Sequence, residues 1–277
     1  ATVGDAVRLG AGPGITLSFL LSGLACVLAA LCYAEFAAMI PVSGSAYTYS
    51  YATLGEFIAW ITGWNLILEY GVASVAVAIG WSGYFNKLLQ IAGIHLPDWA
   101  THAPGGPEGG IINLPAMVIV LLCTWMLVVG IKKSARITTI IVVIKLVVIG
   151  FFIAVGADQV DTANWSPFMP NGFAGVGAAA AIVFFAYIGF DAVSTTAEEA
   201  RNPQRDIPIG IIASLGICTL LYLAVAGILT GMIPWQKIDV NAPIADALGQ
   251  LGFKWGAAIV SVGAVAGITS VLVVLLM

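Results

Sequence analysis

Long apolar stretches recur along this chain, and each is long enough to cross a lipid bilayer as a single helix. A bilayer core of about 30 Å needs roughly 20 apolar residues in helical conformation. The stretches are longer than membrane strands and do not alternate with period two, which excludes a transmembrane barrel. The sequence therefore predicts an all-α polytopic membrane protein. The seven predicted spans are residues 15–40, 57–89, 111–131, 135–156, 175–198, 207–233 and 255–277.

The composition of the chain indicates the same class of protein. Of its 277 residues, 60% are apolar and 9% are charged, whereas a soluble domain has about a quarter of its residues charged. Small residues are frequent inside the spans, as in residues 175–181, and they let membrane helices approach closely. We expect residues 1–277 to form one transmembrane domain in the cell membrane, in contact with lipids.

The chemistry-bearing residues disfavour several classes of function. The net charge of −4 comes without a basic run, which argues against nucleic-acid binding. The four cysteines lie in apolar runs, and His95 and His102 share a polar loop without a ligand pattern. The sequence shows no Ser-His-Asp set, metal-ligand cluster or phosphate-binding glycine loop. We therefore expect no enzyme, no metal site and no cofactor.

Basic residues in the loops predict how the chain is oriented. An odd number of spans places the two chain ends on opposite sides of the membrane. One side carries Lys132, Lys133, Arg136, Arg201 and Arg205, whereas the other carries Arg8, Lys87, Lys237 and Lys254. The first set is concentrated in very short loops, where the positive-inside rule is strongest. The sequence thus predicts that this side is cytoplasmic and that residue 1 is outside.

Lys145 is a cation within the fourth predicted span. It lies nine residues after Arg136, roughly 14 Å deeper along the helix, and a lysine stem can snorkel only part of that distance. One interpretation is a lysine that reaches the cytoplasmic headgroups. The other is an amine that faces a polar cavity between helices. Desolvation there disfavours the charged form and allows the amine to exchange a proton, as proton coupling requires.

Two glutamates also lie within predicted spans. Glu69 is near mid-membrane, where an isolated carboxylate would be neutral or paired. It either hydrogen-bonds a neighbouring helix or lines a substrate cavity and attracts a cationic side chain. Glu35 is nearer the end of its helix, where we expect a structural role at the membrane face.

The run Gly189-Phe190-Asp191 permits a break in the fifth predicted span. Aspartate is a good N-cap, and a glycine within a span invites an interruption. A break would expose the carbonyls of residues 185–188 and begin a new helix near Asp191. Such carbonyls hold an ammonium group and a half-helix N-terminus favours a carboxylate, the two charged groups of an amino acid. A continuous helix with a kink is the alternative.

Two stretches resemble the amino acid–polyamine–organocation transporters. Residues 33–70 look like the second and third helices of that superfamily, and residues 184–211 look like its sixth helix and following loop. The segments NLILEYGVASVAVAIGWSGYF, NWSPFMPNGF and AEEARNPQRDIP are most similar to the cationic amino acid transporter family and its bacterial relatives. The resemblance implies an inverted-repeat fold of five plus five helices, broken in the first and sixth, with helices two to eight represented here.

The resemblance also implies where the substrate and the proton bind. The substrate would sit at the break in the sixth helix, with its ammonium on backbone carbonyls and two carboxylates nearby. The amine of the fifth helix would stand in for a sodium ion, as in proton-coupled relatives, with two hydroxyls of the eighth helix beside it. The matching residues are Phe185, Ala186 and Ile188 for the carbonyls, Asp191 and Glu69 for the carboxylates, Lys145 for the amine, and Thr269 and Ser270 for the hydroxyls.

The chain departs from the family pattern at both ends. Only the outer end of the Gly-rich first helix is recognisable, as residues 1–13, and helices after the eighth are absent. We therefore expect a fragment of a longer transporter. The predicted function is proton-coupled uptake of arginine, lysine, ornithine or small neutral amino acids by alternating access. An amino acid exchanger, a seven-span receptor and a structural membrane subunit are the alternatives.

Overall fold

The computed structural model describes residues 2–104, 109–129 and 135–276. Within these ranges the protein is built from helices and contains no β-sheet. The α-helices are α1 (Thr2–Ala6), α2 (Ile15–Met39), α3 (Ser45–Leu54), α4 (Glu56–Ile91), α5 (Leu114–Val128), α6 (Ala135–Ala157), α7 (Gly172–Val183), α8 (Pro203–Met232), α9 (Pro243–Gln250) and α10 (Lys254–Leu275).

Six helical segments in the described ranges are long and apolar enough to cross a membrane. They are Gly12–Met39, Glu56–Ile91, Thr139–Ala157, Gly172–Thr195, Pro203–Met232 and Lys254–Leu275. These correspond to six of the seven predicted spans, so the multi-pass, all-α class is confirmed. The seventh corresponds to α5, an apolar helix of 15 residues, and the last two residues predicted for it, 130 and 131, lie outside the described residues.

The orientation of the chain stays a prediction. Lys132 and Lys133, two of the five basic residues on the predicted cytoplasmic side, lie outside the described residues.

The spanning helices are apolar on their outer as well as their inner faces. On α2, Cys26 and Ala30 are buried, whereas Leu24 and Leu28 are 57% and 69% exposed. Water would not tolerate so many exposed leucines, but lipid chains solvate them. The inward face of α2 is therefore distinguished by small side chains, which allow close packing against α7 and α8.

The segment that precedes α2 closes one end of the bundle. Residues predicted as the outer end of the first helix are described from Thr2 and form α1, a π turn (Val7–Ala11) and a 3-10 turn (Gly12–Gly14). The π turn packs on α7, where the side-chain amide of Asn171 donates a hydrogen bond to the carbonyl of Gly10 at 2.9 Å.

Close approach of α6 and α10 places Lys145 inside the bundle. A Cβ atom on Gly263 would lie 2.6 Å from Val148 Cγ2, and one on Gly267 would lie 2.9 Å from Lys145 Cδ. Gly263 is therefore needed for the present spacing of the two helices, whereas a side chain at position 267 would displace the flexible stem of Lys145. The stem of Lys145 lies directly against α10 as a result.

Candidate functional site

The predicted break in the sixth helix of the fold is present. Helix α7 ends at Val183, a 3-10 turn follows at Phe184–Tyr187, and Ile188 leaves the helical path with a ψ of 132°. A second 3-10 helix begins at Asp191 and runs to Glu199. The span is thus two short helices separated by three residues, not one kinked helix. The second half begins where predicted, although with 3-10 instead of α geometry.

Gly189 makes this break possible through its backbone. Its φ is +109°, a conformation that side chains with a Cβ rarely adopt, and no atom lies within 4 Å of the place where a Cβ would stand. The requirement for glycine is therefore conformational, and space is available for a methyl group.

A cavity of about 370 Å³ lies beside the break. The backbone of the break forms one wall, and α6, α8 and α10 supply the others. We call it the break cavity. Its lining includes Lys145, Ala186, Ile188, Gly189, Cys218, Tyr222 and Ser270.

Two of the three residues with predicted ammonium-binding carbonyls belong to this wall. Ala186 and Ile188 line the break cavity, and the carbonyl of Ala186 accepts a hydrogen bond from the Tyr222 hydroxyl at 2.8 Å. The carbonyl of Phe185 accepts from the backbone N–H of Ile188 at 3.3 Å, and Phe185 is not among the lining residues of the cavity. A carbonyl oxygen has two lone pairs, so either could accept one further donor.

Lys145 faces the interior of the bundle. It is half-buried and lines the break cavity as well as two further cavities of about 220 and 340 Å³. In the part of the chain that the structure describes, its amine makes no hydrogen bond and no ion pair. The amine thus borders cavities between helices, and its role in proton coupling stays a prediction.

Thr269 and Ser270 point in different directions from α10. Ser270 lines the break cavity together with Lys145, and its hydroxyl donates to the carbonyl of Gly267 at 2.7 Å. Thr269 lies toward α4, where its hydroxyl accepts a hydrogen bond from the indole N–H of Trp81 at 2.9 Å. Consecutive helical residues are about 100° apart around the axis, which explains the divergence.

Asp191 is buried and joins three elements. Its Oδ2 accepts a hydrogen bond from the Tyr70 hydroxyl at 2.5 Å and one from the Ser45 hydroxyl at 3.3 Å. Its backbone carbonyl accepts from the Ser194 hydroxyl at 2.6 Å. The carboxylate therefore ties the helix after the break to α3 and α4. Sequence reasoning missed Tyr70 and Ser45.

Backbone strain accompanies this contact. Ser45 has a φ of +52°, the only positive value among non-glycine residues in the described ranges. Such a conformation costs about 1–3 kcal/mol and persists only where the surrounding structure holds it. In this case its hydroxyl is directed at the buried carboxylate of Asp191.

Glu69 lies one position before Tyr70 on α4. It is half-buried, interacts electrostatically with Asp191, and makes no hydrogen bond to any residue of the described ranges. Glu69 is not among the residues that line the break cavity. The two predicted carboxylates are thus within electrostatic range of each other.

Residues 3–277 match the model of the amino acid permease family. The chain belongs to this family. The match covers nearly the whole chain, and it confirms the relationship predicted from residues 33–70 and 184–211. Members of the family are membrane transporters and not enzymes. The receptor and structural-subunit alternatives receive no support from it.

Individual relatives are similar over almost all of the chain. It is 54% identical over 269 residues to the branched-chain amino acid permease BcaP of Bacillus subtilis, which covers 96% of this chain and 58% of the relative. It is 52% identical over 273 residues to the methylthioribose transporter of Bacillus subtilis, with coverages of 99% and 59%. For cationic amino acid transporter 9 of Arabidopsis thaliana, the identity is 42% over 272 residues, with coverages of 95% and 47%. The chain thus spans about half the length of these relatives.

Proposed function

We propose that this chain forms part of a secondary active transporter that moves amino acids across the cell membrane by alternating access. The observation that carries the proposal is the break cavity, where unwound backbone, an inward-facing amine and a serine hydroxyl meet between helices. Irregular backbone is tolerated at membrane depth where it lines a cavity, and carbonyls at such a break suit an ammonium group. The name of the matching family and that of the relative BcaP both specify amino acids as the substrate.

Proton coupling is the second part of the proposal, and it depends on Lys145. A charged amine without an anionic partner is costly inside a bundle, so its protonation responds to what enters the cavity. Lys145 contacts the cavity on one side and α10 on the other. Protonation of Lys145 would alter both the substrate site and the packing of α6 on α10. This dual contact supports a role in coupling.

Two classes of amino acid are candidate substrates, and one observation favours each. The carboxylate of Glu69 is half-buried on the α4 side of the break, outside the lining of the break cavity, and through its charge it favours substrates with a cationic side chain such as arginine, lysine or ornithine. The apolar side chains that line much of the break cavity, among them Val142, Leu215 and Val271, favour a neutral apolar side chain. The names of the relatives include both cationic and branched-chain amino acids. We take the cationic class first and the neutral apolar class as the second candidate.

Uptake into proteoliposomes tests the proposal. The intact protein would be reconstituted and offered radiolabelled arginine, lysine or leucine, with and without an inward proton gradient. Accumulation driven by the gradient is the expected result, and the order of the three substrates separates the two classes. Uptake that is independent of the proton gradient but requires amino acid inside the liposomes would identify an exchanger instead of a symporter. No uptake of any amino acid in protein that remains folded would overturn the proposal.

A further inference from the structure

Another cavity lies beside the C-terminal part of α4, beyond the region of the Tyr70–Asp191 contact. Its volume is about 230 Å³, and it opens between the last turns of α4, residues 96–103 and 113 of the connection to α5, and the loop before α9. We call it the loop cavity. At roughly 30 Å³ per water it holds about seven or eight waters, a size that suits one small organic molecule. On the predicted orientation it faces the outside.

The lining of the loop cavity is more polar than that of the break cavity. Its polar side chains come from all three surrounding elements, so the cavity is not the flank of a single helix. Those that matter for recognition are Ser82, Asn86, Asp98, His102, Asn113 and Asp239.

Several of these walls are fixed by hydrogen bonds among themselves. The hydroxyl of Ser82 donates to Asn113 Oδ1 at 2.7 Å, and the same oxygen caps α5 by accepting from the N–H of Ala116 at 3.1 Å. Within the loop before α9, Asp239 Oδ1 accepts a hydrogen bond from the N–H of Asn241 at 2.7 Å. The loop cavity is therefore formed without a ligand, which reduces the cost of binding one.

The charges around the loop cavity favour a cation. Asp98 and Asp239 line it, and the amine of Lys87 is already 2.5 Å from Asp246. Among the described residues, the lining thus carries two carboxylates and one amine, that of Lys87, whose charge is paired with Asp246 outside the lining. A cleft lined by charge of one sign concentrates ions of the opposite sign.

Asn86 supplies an independent indication that the loop cavity binds a hydrogen-bond donor. It lines the loop cavity, and its Oδ1 is buried with no hydrogen-bond partner among the described residues. A buried acceptor without a donor costs about 1–3 kcal/mol. A rotation of the amide would turn this oxygen toward a donor placed in the cavity, and ammonium and guanidinium groups consist of such donors.

We propose that the loop cavity binds a small organic cation through its ammonium or guanidinium group, at a site separate from the break cavity. Asp98 and Asp239 supply the charge, and Asn86 supplies a neutral acceptor. The site goes beyond the proposed transport function, because it requires neither the break in the sixth helix nor Lys145.

The two histidines of the connection provide a matched probe. His102 lines the loop cavity, whereas His95 is exposed in the same connection and is not among the lining residues. The intact protein in nanodiscs would be treated with diethylpyrocarbonate, and carbethoxylation of each histidine would be followed by peptide mass spectrometry. A ligand at ten times its Kd should slow the reaction of His102 about tenfold, and leave His95 unchanged.

Three small molecules distinguish what the cavity recognises. Arginine should protect His102, agmatine should protect it as well because it keeps the guanidinium without the carboxylate, and glutamate should not. Asp239→Asn should abolish most of the protection while keeping the acceptor for Asn241. Asp158→Asn, an exposed aspartate outside the cavity lining, is the matched control.

The proposal is overturned if arginine leaves the reaction of His102 unchanged, if agmatine fails to protect, if glutamate protects equally, or if both histidines slow together. Uptake measured on the same preparation separates this site from the proposed function. Amino acid uptake without protection of His102 would overturn only the loop-cavity site. Protection of His102 without uptake would overturn only the transport proposal.

Discussion

The hydroxyl of Tyr70 donates a hydrogen bond to Oδ2 of Asp191 at 2.5 Å, across 121 positions of sequence. Tyr70 belongs to α4, and Asp191 is the first residue of the helix that follows the break. A hydrogen bond to a buried carboxylate is stronger than one between neutral groups. The contact therefore fixes one side of the break to a helix that is continuous across the bundle.

Tyr70→Phe should destabilise the protein, because it removes this donor and leaves Asp191 with Ser45 alone. Interhelical hydrogen bonds of this kind are worth about 1–2 kcal/mol. The measurement is thermal unfolding in detergent. Tyr47→Phe, an exposed tyrosine of α3 whose ring contacts Tyr51, is the control. Equal melting temperatures for the two variants would contradict a stabilising role for the contact.

Gly189→Ala should weaken the break without any steric clash. An alanine at a φ of +109° costs about 1–2 kcal/mol, so the melting temperature and the uptake rate should both fall. Gly216→Ala is the control, since Gly216 lies in regular α8 and has no atom within 4 Å of the position that a methyl group would take. If Gly189→Ala and Gly216→Ala change the melting temperature and the uptake rate equally, the inference that the break requires glycine at position 189 is wrong.

Lys145→Ala should remove the dependence of uptake on external pH and on the proton gradient. The amine lines the break cavity and has no ion-pair partner in the described part of the chain. The measurement is initial uptake rate against pH in proteoliposomes. Lys254→Ala, an exposed lysine at the start of α10, controls for loss of a positive charge. A wild-type pH profile in Lys145→Ala would exclude Lys145 from coupling.

Glu69→Gln should weaken the binding of arginine and lysine more than that of leucine. Glu69 does not line the break cavity, so it would act on a cationic side chain through its charge; we expect a loss of roughly tenfold in affinity, which is about 1.4 kcal/mol. Competition against a radiolabelled substrate measures the change for each amino acid. Glu35→Gln, in α2, serves as the matched control. An equal loss for all substrates would identify Glu69 as a structural carboxylate.

Local sequence was sufficient for the spans and for the position of the break. An apolar run of about 20 residues must form a helix in lipid, because each backbone polar group needs an internal partner. The break depends on Gly189 and Asp191, which act through their own backbone preferences. Both inferences require only neighbouring residues, and the observed elements agree with them.

Which way a side chain faces could not be obtained from the sequence. A soluble helix shows its buried face by its apolar stripe, but here α10 is apolar all round, with Val262 exposed and Val260 buried. The family resemblance implies that Thr269 and Ser270 share a site, whereas in the structure Thr269 hydrogen-bonds Trp81 and Ser270 lines the break cavity.

The sequence by itself determined that the chain is a helical membrane protein and where its spanning helices run, and it indicated where one of them could be broken. Only the tertiary structure decided that Tyr70 and Ser45 hold Asp191, that Lys145 lies against Gly267, and that two distant loops enclose the loop cavity. The reason is physical: in lipid the apolar pattern fixes that a segment spans, while small residues and hydrogen bonds between helices fix which faces meet.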